Sequence, residues 1–545
     1  MTITSIAIFL VSAATLGLEL ALVRAFSIGH WHHFAFLVIS TALLGFGAGG
    51  TLVTIASKPL TANYKKTLWF FACGLALTVP IVFHLSQRVP LDELQLIWDP
   101  RQILYLFAYY LLFFIPFFCA GTFMALAFTV CAYKAHRLYF YNMTGSGTGA
   151  AAIVALMYGN APQHLLLLTS SAAFLAALLL TFSMPRRFLL TTFILAAACI
   201  FAVSPPGPFE PEIEISENKS LVYYQALPDS ETLAVRYSPL GRLDCLRAPA
   251  VRHFPGLSIA YEGPLPEQML LIADADGISA INHFDQLSDL DCYDHTTSAL
   301  PYHLLSQPYA CIIGAGGGSD VAQALALGAN KVTAVEMNSQ TIDLVRSRFN
   351  KFASGLYRRP DLEVVIAEGR SFLQTTDRSF DVINISLLDS FTASAAGVYA
   401  LNESHLYTIQ AVEQALRRLS PKGLLSITRL LKDPPRDSLK MLATAAQALR
   451  KSRCRTPADH IIMIRSWATA TIVVSPNPFS ISQIQTARDF AQQRSFDLVH
   501  LPGIEPNQVN LHHVLDEPVY YHSAQRILSH NYKTFYRDYA YNIRP

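Results

Sequence analysis

Apolar residues dominate the N-terminal part of the chain, in segments at about 4–27, 32–57, 66–86, 102–132, 138–158, 163–183 and 187–204. Each comes near the ~20 residues that a helix needs to cross a bilayer, so the pattern predicts seven spans. Pro116 lies inside the overlong fourth segment and predicts a kink or a division into two short helices. The fifth, "LYFYNMTGSGTGAAAIVALMY", carries Gly145, Gly147 and Gly149, small residues that suit close helix packing in lipid. "SPPGPFEPEIE" at 204–214 ends the apolar pattern. From about 216 to 300 the periodicity is short and β-like, and "MLLIADADGISAINHF" predicts two strands joined at Asp276-Gly277. Beyond Pro301, strands are predicted at 310–315, 331–337, 362–367, 380–387, 423–429, 460–466 and 469–475, with helical stretches between most of them. That alternation predicts a doubly wound, mostly parallel, Rossmann-like sheet. The expected organisation is a transmembrane domain at 1–204 and a linker with a small β-rich domain at 205–300. A nucleotide-binding domain at 301–500 and a C-terminal extension at 501–545 complete it.

Charge sharpens the division. Of the chain's 41 Lys and Arg and 39 Asp and Glu, residues 1–204 hold only ten basic and four acidic ones. The remainder is near balance with no Lys/Arg-rich run, which argues against nucleic acid as a partner. None of the eight cysteines has CxxC or Cys/His ligand spacing, and no metal is expected. The N-terminus lacks a basic leader region and carries Glu19 in its apolar run, the pattern of a retained helix. Lys58, Lys65 and Lys66, then Lys134 and Arg137, then Arg186 and Arg187 fall in alternate loops. The positive-inside rule with seven spans therefore puts the C-terminal domain outside.

The candidate chemistry lies in "CIIGAGGGSDVAQALALGANKVTAVEMN", residues 311–338. Gly314, Gly316, Gly317 and Gly318 allow a tight turn and close backbone approach to a ligand. Glu336 ends the next strand, where an acid accepts hydrogen bonds from ribose hydroxyls. Ser319 occupies the place of the third small residue of a dinucleotide fingerprint. Glu368 follows the third strand, placed for an adenine amino group, and Ser386 and Asp389 stand at the tip of the fourth. This set of acids suits an adenosyl ligand without a pyrophosphate cradle. A nucleotide of that kind is cytosolic, which opposes the location that the loop charges predict.

The string "GAGGGSD…VEMN…AEGRSFL…FDVINISLLDS…LNESHLYT", with the β lead-in, resembles the spermidine synthase-like (polyamine aminopropyltransferase) proteins, in the bacterial group fused to a membrane domain. The resemblance covers about residues 215–475, and the apolar segments ahead of it resemble that group too. It implies a multi-pass protein of a bacterial inner membrane. It also implies decarboxylated S-adenosylmethionine as aminopropyl donor and a polyamine as small-molecule acceptor. S-adenosylmethionine, with a methyl group to transfer, is the alternative donor. The family carries D-S-S-D after the fourth strand, its first Asp usually assigned as the base that takes the amine proton. Here the stretch is "SLLD", so Ser386 replaces that Asp and Asp389 remains. The resemblance places Tyr293, Asp294 and His295 near the acceptor, with His295 as a substitute base or a packed histidine. Tyr399 and Tyr407 follow the gate-like loop as pocket walls or packing residues. The family's wider members continue past a segment like "YAYNIRP", so a second copy or a second membrane subunit is an expected partner. The opposing reading is a non-catalytic, membrane-anchored binding or assembly module that keeps the fold.

Overall fold

The computed structural model describes residues 2–30, 35–96, 98–204, 212–388 and 405–545. The chain divides into two units, residues 1–222 with 236–242, and residues 223–235 with 243–545. The apolar segments of the first unit fold as the helices Thr2–Gly29, Ala35–Ile55, Tyr64–Ser86, Arg101–Val130, Ala135–Leu156, Pro162–Thr181 and Arg186–Val203. Six of these are long and apolar enough to cross a membrane. Ala135–Leu156 is not counted among them, because Asn142, Thr144, Ser146 and Thr148 dilute its apolar content. Arg101–Val130 is one helix of 30 residues with Pro116 inside it, not two.

Glycines decide how these helices meet. A Cβ on Gly145 or Gly149 would lie 2.3 Å from the carbonyl oxygens of Phe9 and Ala13 in the first helix. One turn further on, Gly17 meets the side chain of Ile153. The contacts advance together along both helices, so Thr2–Gly29 and Ala135–Leu156 run parallel, backbone on backbone. Gly147, by contrast, has nothing within 4 Å of its Cβ position and takes no part in that seam. A second parallel seam forms where Gly45 and Gly49 of Ala35–Ile55 meet the backbone at Phe117 and Thr122. Large apolar side chains face outward around the unit, including Leu43, Leu104, Phe107, Phe193 and Phe201. One end is polar inside: buried His30 bonds Tyr109 Oη at 3.0 Å and the Glu93 carboxylate, and buried Lys219 donates to Ser27 O at 2.7 Å.

In the second unit the lead-in builds a four-stranded sheet, in the order β1 (Glu231–Ser238), β2 (Gly241–Arg247), β3 (Gln268–Ala273) and β4 (Gly277–Asn282). The β3–β4 turn is centred on Asp274 and Ala275, both at positive φ, rather than on Asp276-Gly277. Asp276 N closes the turn on Ala273 O at 3.0 Å, and Gly277 already pairs with Ala273. The main sheet contains β5 (Tyr309–Ile313), β6 (Lys331–Glu336), β7 (Leu362–Ile366), β8 (Phe380–Ile385), β9 (Leu419–Leu430), β10 (Ile461–Arg465), β11 (Thr469–Val474) and β12 (Asp497–His500). Its order is β12-β10-β11-β9-β8-β5-β6-β7, parallel from β9 to β7 and antiparallel beyond β9. Seven of these strands lie where the alternation predicts them; β12, four residues of "DLVH", is too short to stand out. The chain enters at β5, goes out to β6 and β7, and returns to β8 on the other side. The carboxyl ends of β5 and β8 therefore flank the topological switch point, where open α/β sheets bind ligands.

The parallel seam makes a clear prediction. Gly149→Leu forces the two helices apart and costs at least the ~1–3 kcal/mol of an overpacked core, whereas Gly147→Leu costs little. Thermal unfolding of both variants in detergent checks the difference.

Candidate functional site

The turn after β5 can be built only with glycine at several points. Gly314, Gly316 and Gly318 have φ of 82°, 51° and 99°, the left-handed region that disfavours a Cβ. Gly317 has a different reason: a Cβ there would lie 2.3 Å from Ala280 O on β4. The backbone is held from several sides. Gly314 N and Ala315 N donate to Val335 O (2.9 and 3.2 Å), Gly316 N to Glu336 Oε2 (2.9 Å) and Gly317 N to Ser279 Oγ (2.8 Å). Tyr357 Oη lies 3.1 Å from Ala315 O and 2.7 Å from Gly316 O. Ser319, the departure from the dinucleotide pattern, donates its hydroxyl to Ala280 O at 3.0 Å. It ties the start of the helix Ser319–Ala326 to the lead-in hairpin.

The predicted acids divide by how far the fold has committed them. Glu336 accepts from Gly316 N and from Asn338 N (2.8 Å), one bond on each oxygen. A carboxylate has about four lone-pair sites, so both oxygens keep capacity. Glu368 caps the helix Gly369–Thr375, accepting from Arg370 N (2.9 Å) and Ser371 N (2.7 Å). Burial pushes its carboxyl up, but those amide bonds outweigh burial and hold it below the usual range. Asp294 is bound to Arg494, through Nη2, and to His303. Arg494 Nε also donates to the Asp294 carbonyl at 2.6 Å. Burial opposes ionisation of Asp294, yet His303 and Arg494 prevail and bring it down to about 2.

The remaining predicted residues are not brought together. His295 lies against the Tyr261 ring, centroids 4.8 Å apart, with Nδ1 3.3 Å from Asp291 O. Among the described residues, none of its hydrogen bonds or ring contacts is with the glycine turn, Glu336 or Ser386. Donor atoms of Asp291, Asp294 and His295 fall within 4.8 Å of one another, but the Asp294 carboxylate already serves Arg494 and His303. Tyr293 is buried and joins the turn indirectly, accepting from Asn282 Nδ2 at 2.6 Å while Asn282 also reaches Ser319 Oγ at 3.2 Å. The Arg429 guanidinium sits 4.0 Å from the centroid of the Tyr407 ring. Asp389 and Tyr399 lie outside the described residues.

Ser386 stands at the switch point, its N–H on Ile313 O at 3.1 Å. It is 5% exposed. The sequence reading passed over the acid beside it. Asp320, in the first turn of Ser319–Ala326, directs its carboxylate toward the Ser386 hydroxyl. Burial raises its pKa, and the nearby hydroxyl opposes that rise. The "GGGSD" string held the signal: an acid one step into the helix that follows the glycine turn.

Residues 291–472 match the family model of the spermine/spermidine synthase domain. Curated proteins called polyamine aminopropyltransferase are similar to part of this chain. That of Thermoplasma volcanium is 27% identical over 132 residues, 24% of this chain and 48% of the relative. The polyamine aminopropyltransferase 2 of Pseudomonas aeruginosa is 24% identical over 185 residues, 32% and 49% of the two chains. That of Nitrosomonas europaea is 26% identical over 223 residues, 39% and 64%. The chain thus spans about half the length of the first two relatives. Among solved structures, spermidine synthase from Thermotoga maritima is 18% identical with a TM-score of 0.31, covering 46% of this chain and 75% of that one.

The Asp294 triad of the synthase domain predicts an acid limb of stability. Its folded-state pKa is depressed, so the stabilisation is complete above about pH 4 and fades as pH falls toward 2. Asp294→Asn removes this term, and its stability changes less steeply than wild type over that window in urea titrations at fixed ionic strength.

Proposed function

We propose that the chain is a membrane-bound aminopropyltransferase, moving the aminopropyl group of decarboxylated S-adenosylmethionine to an amine of the polyamine class. The observation that carries the reading is the synthase-family match over the same residues that form the glycine turn, Glu336 and Ser386 at the switch point. The Pseudomonas and Thermoplasma relatives, both called polyamine aminopropyltransferase, support the reading. The donor supplies a sulfonium whose neighbouring carbon is open to an amine. Glu336 has lone pairs to accept ribose hydroxyls, and the glycine turn leaves room beside them. Glu368 keeps its capping bonds and offers its remaining lone pairs to the adenine side. Asp389, the surviving acid of the family motif, is assigned to orient the acceptor, and Tyr293 and Tyr407 are assigned to the pocket walls. S-adenosylmethionine has the same sulfonium but an added carboxylate, which needs a donor of its own.

The membrane assignment rests on six long apolar helices and the apolar side chains they turn outward. In water such a surface would drive aggregation; in lipid it is the expected exterior. The parallel seam between Thr2–Gly29 and Ala135–Leu156 supports counting the latter as a seventh crossing, at the same depth as the first. Seven crossings with the Lys/Arg-rich loops inside put the synthase domain outside. That topology favours a second reading, a binding or assembly module on the face where sulfonium nucleosides are scarce.

Two measurements test these readings. Detergent-purified chain, given decarboxylated S-adenosylmethionine and putrescine, is expected to release 5′-methylthioadenosine. Glu336→Gln, which keeps an acceptor for Gly316 N, is expected to lower kcat/KM by about 10- to 100-fold, the size of a lost charged hydrogen bond; undiminished turnover would overturn the assignment. Paired reporters fused after Pro545, one active only in the cytoplasm and one only outside, are expected to signal outside for seven crossings. A cytoplasmic signal removes the second reading.

A further inference from the structure

We infer that His30, Glu93 and Tyr109 form a proton-binding clasp at one end of the helical unit, which sets how firmly the segment leading out of that unit is held. The inference stands apart from the aminopropyltransferase reading. The three side chains make one hydrogen-bonded line: His30 Nδ1 meets the Glu93 carboxylate, and His30 Nε2 lies 3.0 Å from Tyr109 Oη. They come from three places, the end of Thr2–Gly29, the turn Glu93–Gln95 and the helix Arg101–Val130. His30 and Tyr109 are buried, and the Glu93 side chain is 3% exposed. The imidazole stands edge-on to the Tyr109 ring, centroids 5.5 Å apart, with the Phe26 ring at 6.0 Å. Ionisable groups withdrawn from water inside a helical membrane unit are costly, and proton relays are among the uses they serve.

Hydrogen-bond polarity fixes what this line can do. A carboxylate only accepts, so Nδ1 carries the proton, and in the neutral ring Nε2 accepts from the Tyr109 hydroxyl. One proton taken up from water goes to Nε2. The ring becomes an imidazolium that donates at both nitrogens, and the Tyr109 hydroxyl turns from donor to acceptor. Glu93 favours that state. Its Oε2 is buried with no hydrogen-bond partner among the described residues, so the carboxylate leans on the one bond from His30, and that bond is stronger when its donor is charged. The titratable and charged side chains on the elements packed here are His84, Arg88, Asp92, Glu214, Glu217 and Lys219, besides the Asp99–Arg101 pair. Counting Glu93, the acids outnumber the permanent cations, and such surroundings accommodate an added positive charge.

The bonds around the trio give the proton its consequence. Ser216 N donates to Gly29 O at 2.8 Å and Lys219 Nζ to Ser27 O at 2.7 Å, both carbonyls in the last turn of the first helix. Glu214 N donates to Gln87 Oε1 at 2.9 Å and Asn218 Nδ2 to Asp92 Oδ1 at 3.0 Å, on the stretch that carries Glu93. Residues 214–219 thus bridge the same two pieces that the His30–Glu93 bond joins, and the chain runs on from them to β1. With His30 charged, that bond is an ion pair and the bridge is tight; with His30 neutral, the bond weakens and the segment loosens.

The test is hydrogen–deuterium exchange of the full chain in detergent, read on peptides covering 212–219 at about pH 6 and about pH 8, the range in which histidine changes charge, and corrected for the intrinsic exchange rate. Protection of the Glu214 and Ser216 amides is expected to be about tenfold higher at the lower pH, the size of one charge-assisted hydrogen bond. In Glu93→Gln the difference is expected to vanish, with the lower protection at both pH values. Tyr109→Phe keeps the ring but leaves the imidazolium Nε2–H without its acceptor, and is expected to shrink the difference to about threefold or less. Equal protection at the two pH values in wild type overturns the inference, as does a difference that survives in Glu93→Gln. If Glu93→Gln does not fold, Tyr109→Phe decides alone: a difference as large as in wild type overturns the clasp, and a reduced one supports it.

Discussion

The backbone of the turn between β5 and the helix Ser319–Ala326 is the constraint on which the site depends. Its amides are bonded to Val335, Glu336 and Ser279, and its carbonyls face Tyr357. These partners come from β6, from β4 and from the segment before β7, so the turn keeps its shape only when the lead-in hairpin and the sheet are assembled together. The small β-sheet is therefore part of the site's framework. Its Ser279 and Ala280 sit where side chains on Gly316 and Gly317 would have to go.

That requirement orders the acids around the switch point. A carboxylate near a helix start or a bent strand end is first a means of satisfying backbone amides, and Glu368 and Glu336 are both used in this way, the former fully in the manner of an N-cap. Asp294 shows the same economy with cations instead of amides.

The helical unit obeys a different rule. Its helix pairs are selected by how closely their backbones can approach. Gly145 and Gly149 in one seam, and Gly45 and Gly49 in the other, provide that approach. The helix with the weakest apolar signal, Ala135–Leu156, meets the first through this seam.

The class of the two halves was legible from the chain alone, because hydrophobic period and turn chemistry are local properties that tertiary contacts rarely reverse in long segments. So were the positions of seven of the eight main-sheet strands and the glycine turn with Glu336 at its expected distance. Partnership was not legible. Spacing puts Glu368 past β7 and Asp294 beside Tyr293 and His295, but whether a carboxylate meets a ligand, a helix end or Arg494, 200 residues away, is decided only when the chain has folded. For the same reason Asp320 looked like one more polar residue at a helix start. Only the sheet order, which sets β8 beside β5, decides which side chains stand together at the switch point.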